Sequence, residues 1–169
     1  LEKNVADYGK ALSYFQRCLY SAKKQYGEQS EWVATSLNNI GGVYSSLGKY
    51  NQALSHHGEA LKIRRSVFGD NHPDVAASLN NIGSVYSSQG DYSQALSHYG
   101  EALKIWRSVF GDNHPVVATC LNNIGSVYSY KGDYVQALSH YGEALKIWRS
   151  IFGDNHPVVA TFLNNIGAV

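Results

Sequence analysis

The chain has 169 residues, 44% of them hydrophobic and 16% charged, a balance that suits a folded chain and excludes a disordered one. A formal net charge of +1 leaves no electrostatic footprint for nucleic acid or an anionic membrane, and no apolar run approaches the roughly 18 residues that span a bilayer. No signal peptide or N-x-S/T sequon is present, and Cys18 and Cys120 form no disulfide framework, so they read as thiols of a reducing, cytoplasmic compartment.

The length is four periods of 42 residues and one residue more. Leu37, Leu79, Leu121 and Leu163 share one phase; Gly41, Gly83, Gly125 and Gly167 share another; DNHP recurs at 70–73, 112–115 and 154–157. Residues 85–126 and 127–168 match at 36 of 42 positions, and the first period is the most diverged. A period in this range marks a solenoid or array. Met is absent even at position 1, as expected of a piece of a longer chain.

Each period reads as two helices. In chain order, residue 1 falls near the end of a first-type helix, and residues 7–26 form a second-type helix, giving a partial repeat over 1–26. Hairpins follow at about 31–68, 73–110 and 115–152, and a truncated first-type helix occupies 157–169. The spacing of Val75, Leu79, Ile82 and Tyr86 builds one helical face. Gly90 suits the left-handed residue that ends this helix, and Asp91 with Gln94 offers the cap of the next. Tyr92, Ala95, Tyr99, Ala102 and Trp106 continue at helical spacing until Gly111, and Pro115 opens the following helix. Gly83 and Ala95 are placed to face each other across the hairpin. Gly58, Gly100 and Gly142 sit inside second helices, where only a close backbone approach would justify them. The fold expected is all-α: antiparallel helix pairs stacked as one solenoid over 1–169.

Leu79-x-x-Ile82-Gly83-x-x-Tyr86 and Tyr92-x-x-Ala95, with Tyr99 and Ala102, resemble the tetratricopeptide repeat (TPR). The long period, with Gly111-x-x-His114-Pro115 and Leu121-Asn122-Asn123-Ile124-Gly125, is similar to the variant found in kinesin light chain. The resemblance covers the whole chain and implies a right-handed superhelix whose first helices line a concave groove that receives a peptide or partner segment. By position, that lining is Thr35, Asn38 and Ser45 in one repeat and Asn80, Ser84 and Ser87 in the next. The third repeat supplies Thr119, Asn122, Ser126, Ser129 and Tyr130, and the last supplies Asn164. Asn38, Asn80, Asn122 and Asn164, one repeat apart, would form an amide ladder for an extended backbone. Asn39, Asn81, Asn123 and Asn165 are expected to bond between adjacent hairpins. The cations that clamp terminal carboxylates or acidic cargo in this family are missing from the face; Lys49 and Lys131 lie at helix ends.

The histidines occur in repeat phases too far apart to share an ion, and no catalytic or phosphate-binding constellation is present, so neither an enzyme nor a cofactor or metal is expected. The tryptophans Trp32, Trp106 and Trp148 suit packing between successive second helices better than an exposed anchor role. An alternative to peptide binding is head-to-tail self-association. Val169 has the phase of Leu1, so a second copy would continue the repeat. Val159, Leu163 and Ile166 would offer an open apolar face, and Tyr8 and Leu12 belong to a helix lacking its full partner.

Overall fold

A computed structural model describes residues 2–154 together with Pro157, Val159 and Gly167, the side chains of residues 2–6 excepted. Among these residues there are seven helices and no strand: α1 (Glu2–Tyr26), α2 (Glu31–Ser46), α3 (Tyr50–Phe68), α4 (Pro73–Gln89), α5 (Tyr92–Phe110), α6 (Pro115–Tyr130) and α7 (Tyr134–Phe152). Helices α2 and α3, α4 and α5, and α6 and α7 pair as hairpins, and α1, α3 and α5 also pack on the first helix that follows each of them. Helices α2, α4 and α6 touch in series, so the first helices share one face of the array. Each hairpin is too small to bury its own apolar stripe, and stacking supplies the missing cover. Leu79, Ala102, Trp106, Val117 and Leu121 join one buried cluster drawn from successive hairpins.

The turns follow from single residues. Gly48, Gly90 and Gly132 sit at φ 69°, 80° and 77°, left-handed conformations that a side chain disfavours. After Gly90 the Asp91 N–H donates to the Tyr86 carbonyl at 2.9 Å, and Asp91 Oδ1 then accepts from the Gln94 N–H at 3.1 Å, ending one helix and capping the next. The first period lacks this device, because Ala6 stands in the phase of those glycines. The expected break before residue 7 is accordingly absent, and α1 runs unbroken from Glu2. At the other joints His72 and His114 serve as N-caps, their Nδ1 atoms accepting from the Asp74 and Val116 N–H groups at 3.2 and 3.3 Å.

The hairpins close through glycine. A Cβ placed on Gly83 would lie 2.9 Å from the Tyr99 ring and 3.2 Å from the Ala95 carbonyl oxygen, and one on Gly125 would lie 2.7 Å from the Tyr141 ring. The aromatic ring of each second helix thus lies on the bare backbone of the first. In the α2–α3 hairpin His57 takes this place, 2.8 Å from a Cβ built on Gly41. Gly58, Gly100 and Gly142 are different: a Cβ there meets nothing within 4 Å, so no close approach accounts for them.

One buried phase changes along the array. Trp106 is 7% exposed and belongs to the same core cluster as Cys120. One period earlier the pair is Arg64 and Ser78, also buried, with Arg64 Nη1 donating to the Ser78 hydroxyl at 2.9 Å and the Asp74 carbonyl at 3.0 Å. One period earlier still the pair is Ala22 and Ser36, and a mostly apolar cavity of about 350 Å³ lies beside them, between α1 and α2. The Trp106 indole is core material, whereas Trp32, expected to pack between second helices, stands at the start of the first helix α2, 58% exposed and stacked on Tyr26 with ring centroids 5.7 Å apart. The Cys120 thiol is equally structural: it contacts the Tyr99 carbonyl at 3.4 Å, and burial pushes its pKa up to about 12, which leaves it unreactive.

Two glycine substitutions separate these roles. Gly83→Ala is expected to destabilise the fold by about 1–3 kcal/mol through overpacking against Tyr99. Gly100→Ala, into open space within a helix, is expected to stabilise it by about 0.5–1 kcal/mol. Urea unfolding of the two variants measures both signs.

Candidate functional site

The shared face of α2, α4 and α6 is built on a repeated cross-link. Asn81 Nδ2 on α4 donates to Asn38 Oδ1 on α2 at 3.0 Å, and Asn123 Nδ2 on α6 donates to Asn80 Oδ1 on α4 at 3.1 Å. Of the residues expected to bridge hairpins, Asn81 and Asn123 do so, Asn39 is exposed on α2, and Asn165 lies outside the described residues; the acceptors are amides expected to form the ladder. Asn38 and Asn80 therefore hold the array together through their oxygens. Replacing either by Ala would leave a half-buried donor without its acceptor as well as alter the face.

The second helices reach the same face through the rings that rest on glycine. Tyr141 donates its hydroxyl to Ser126 Oγ at 3.0 Å, and a side-chain hydrogen bond joins Tyr99 to Ser84. The equivalent of those serines on α2 is Gly42, which has no hydroxyl, and the equivalent of those tyrosines is His57. His57 turns instead to Asn38, its Nδ1 lying 2.8 Å from Oδ1. Because that oxygen only accepts, the neutral ring carries its proton on Nδ1. His57 is 2% exposed; burial, followed by the charges of His56 and Arg64, lowers its pKa to about 4. Burial likewise pushes Tyr99 up to about 12, so neither ring is charged near neutral pH.

Two cavities lie along this face. The first, about 500 Å³, is lined by Tyr8 and Phe15 of α1, by Asn38, Gly42 and Ser45 of α2, by His57, and by Asn81 and Ser84 of α4. The second, about 400 Å³, is lined by Ser84, Ser87 and Ser88 of α4, Tyr92 and Tyr99 of α5, and Asn123, Ser126 and Tyr130 of α6. Ser84 lines both, so the two cavities are neighbours on the same face. Neither lining contains a Lys, Arg, Asp or Glu.

Of the positions predicted to line the groove, Asn38, Ser45, Ser84, Ser87, Ser126 and Tyr130 meet in these two cavities. Thr35 lies in the separate apolar cavity between α1 and α2. Thr119 is exposed and donates its hydroxyl to the Pro115 carbonyl at 3.0 Å. Asn122 accepts at its backbone carbonyl from Ser126, Ser129 is half-buried near the end of α6, and Asn164 lies outside the described residues. Sequence reasoning missed the contribution of the second helices: His57, Tyr92 and Tyr99. A signal was available, since Gly42 and His57 depart from the repeat together while Ser84 with Tyr99 and Ser126 with Tyr141 keep it.

The surfaces expected to self-associate are placed differently from one another. Tyr8 and Leu12 are half-buried on α1, while Leu163 and Ile166 lie outside the described residues. Val159 is 0% exposed and belongs to the core, as do Val75 and Val117 of the same phase, so it is not part of an open face. The reason is geometric: the start of a first helix is covered by the hairpin before it. Charge also bears on stacking. Arg65 pairs with Asp70 and Glu101, and Arg107 with Asp112 and Glu143, one period on. In the phase of those glutamates the first period carries Arg17. A copy continuing the register would set Arg17 against Arg149, the next arginine of the ladder.

These features define a helical-hairpin solenoid with an uncharged concave face. A family model for the tetratricopeptide repeat matches residues 4–66, 37–107, 89–147 and 123–169, and the chain belongs to that family. No curated protein sequence matches it. Among solved structures it is similar to BtubC (BKLC) from P. vanneervenii, with a TM-score of 0.86 and 24% identity over 98% of this chain and 66% of that one. It is also similar to a Podosopora anserina putative kinesin light chain with nearly identical TPR-like repeats, with a TM-score of 0.79 and 14% identity over 98% of this chain and 78% of that one. The apo form of RapI aligns with a TM-score of 0.77 and 18% identity over 99% of this chain and 44% of that one. At these identities the likeness is one of fold, a right-handed superhelix of helix pairs. The chain spans just under two thirds of BtubC and less than half of RapI.

The neutral His57 makes stability depend on pH. Its folded pKa of about 4 lies below the ordinary histidine value of 6.5, so the unfolded chain binds the extra proton between them. Its contribution is complete above about pH 6.5 and declines as the pH falls toward 4, by up to about 3 kcal/mol. The double variant Gly42→Ser/His57→Tyr, which restores the pair of the next two hairpins, is expected to lack this part of the decline. Urea unfolding of both proteins from pH 7 to 4 isolates it.

Proposed function

We propose that the chain is a non-catalytic interaction scaffold whose concave face binds a peptide or an extended segment of a partner protein. The observation that carries this reading is the pair of neighbouring cavities along α2, α4 and α6, both bordered by Ser84 and lined by hydroxyls, amides and aromatic rings. Their width runs across successive first helices, which suits a chain lying along the array better than a compact small molecule. An extended peptide presents donors and acceptors in alternation, and hydroxyls and amides answer both. The cross-linked asparagines keep the face in one geometry, so little ordering is needed on binding. Among the described residues no helix is long and apolar enough to cross a membrane.

The test must spare the asparagine rungs, since their loss would disturb the fold itself. Ser45 and Ser87 are half-buried in the two cavities and lie outside the rungs. Peptides selected on the unaltered protein from a random display library are expected to bind Ser45→Arg/Ser87→Arg at least about tenfold more weakly, a difference of about 1.4 kcal/mol. The variant's thermal unfolding should stay close to that of the unaltered protein. Undiminished binding, read by fluorescence polarisation, would place the ligand elsewhere.

A further inference from the structure

We infer that the groove selects an uncharged extended peptide segment carrying one aromatic side chain, whose ring is seated on Tyr130 at the end of α6. This inference rests on the groove reading and assigns its specificity. Three observations carry it.

The first is Tyr130 itself. The same phase holds Ser46 and Ser88 in the earlier repeats, so the ring is a local departure from a pattern that is otherwise kept closely. A tyrosine here is 68% exposed, more than any hydrophobic contact with the core would allow. Its exposure is not random orientation: the ring stacks on Tyr92 of α5, centroids 6.1 Å apart and planes 18° from parallel. Tyr92 thus backs one face of the ring, and the other is left for a ligand.

The second is position. Both rings line the second cavity together with Ser84, Ser87 and Tyr99. The aromatic platform stands at the edge of a hydroxyl-lined recess, so a segment whose side chain stacks on Tyr130 brings its backbone toward the serines of α4. Aromatic pairs favour such offset stacked or edge-on arrangements.

The third is the absence of charge among the side chains lining the two cavities. His57 stays neutral, and Arg65 and Arg107 are already paired, Arg65 with Asp70 and Glu101, and Arg107 with Asp112 and Glu143. Lys131 lies over the Tyr128 ring, 5.7 Å from its centroid. A charged side chain entering the recess would lose hydration and meet no counter-charge, which selects against acidic and basic segments alike.

The experiment selects random dodecapeptides by display on the unaltered protein and measures the enriched sequences by fluorescence polarisation on it and on Tyr130→Ser, Tyr130→Phe and Ser87→Arg. The expected ligands are uncharged over their core, contain one Tyr, Phe or Trp, and bind equally at low and high salt. Tyr130→Ser, which restores the residue of the earlier repeats, should weaken them about tenfold with the thermal midpoint unchanged, whereas Tyr130→Phe should bind as the unaltered protein does. Enrichment of acidic or basic peptides, affinity that falls steeply with salt, unweakened binding to Tyr130→Ser, or no enrichment at all would overturn the inference. The two readings fail separately. Ligands lost on Ser87→Arg but not on Tyr130→Ser leave the groove standing without its aromatic seat, and ligands indifferent to both remove the groove.

Discussion

A ring resting on a glycine face is the contact on which the rest of the molecule depends. Gly41, Gly83 and Gly125 carry no Cβ, and His57, Tyr99 and Tyr141 lie on the backbone that this exposes. A methyl group at any of them would push the helices of a hairpin apart. Because the ring is held flat against the first helix, its polar end emerges on the concave side, where Tyr141 meets Ser126, Tyr99 meets Ser84 and His57 meets Asn38. Packing within the hairpin and chemistry on the groove are two ends of one side chain.

The asparagine rungs join the next level. Asn81 to Asn38 and Asn123 to Asn80 tie each first helix to its successor, so the spacing of the groove is set by hydrogen bonds and not by apolar contact alone. At the α2–α3 hairpin the two systems fuse, since Asn38 receives both the rung and His57. The departures from the repeat gather at these joints. Gly42 with His57, Arg64 with Ser78 and Ala22 with Ser36 are paired changes, in which one partner adapts to the other's volume or polarity. They make the N-terminal half of the array roomier and more polar than the C-terminal half while its backbone plan stays the same.

Much of this was legible in the residues. Helix joints could be placed because Gly90 and Asp91 have only one good use, and the α1 exception follows from the same rule once Ala6 is seen in the phase of a turn glycine. The faces of the first helices were legible too, because positions repeated every 42 residues occupy equivalent places. What escaped was direction. Asn38 and Asn80 were assigned to a ligand, yet their oxygens are taken by the neighbouring helix. Val159 was assigned to an open end, yet it is buried. Tyr92 and Tyr99 were placed by their helical spacing on the second helix, and they also line the groove.

The sequence by itself determined the period, the alternation of two helix types, the glycine stops and the uncharged character of one face, because these depend on local backbone preference and on spacing along a single helix. Only the tertiary structure decided which amides are spent within the chain, that His57 is buried and neutral, and that Tyr92 and Tyr130 stack at the edge of one cavity. Those facts depend on distances between helices 15 to 43 residues apart in sequence. They are set by how far a ring sinks onto its glycine, a quantity no linear pattern contains.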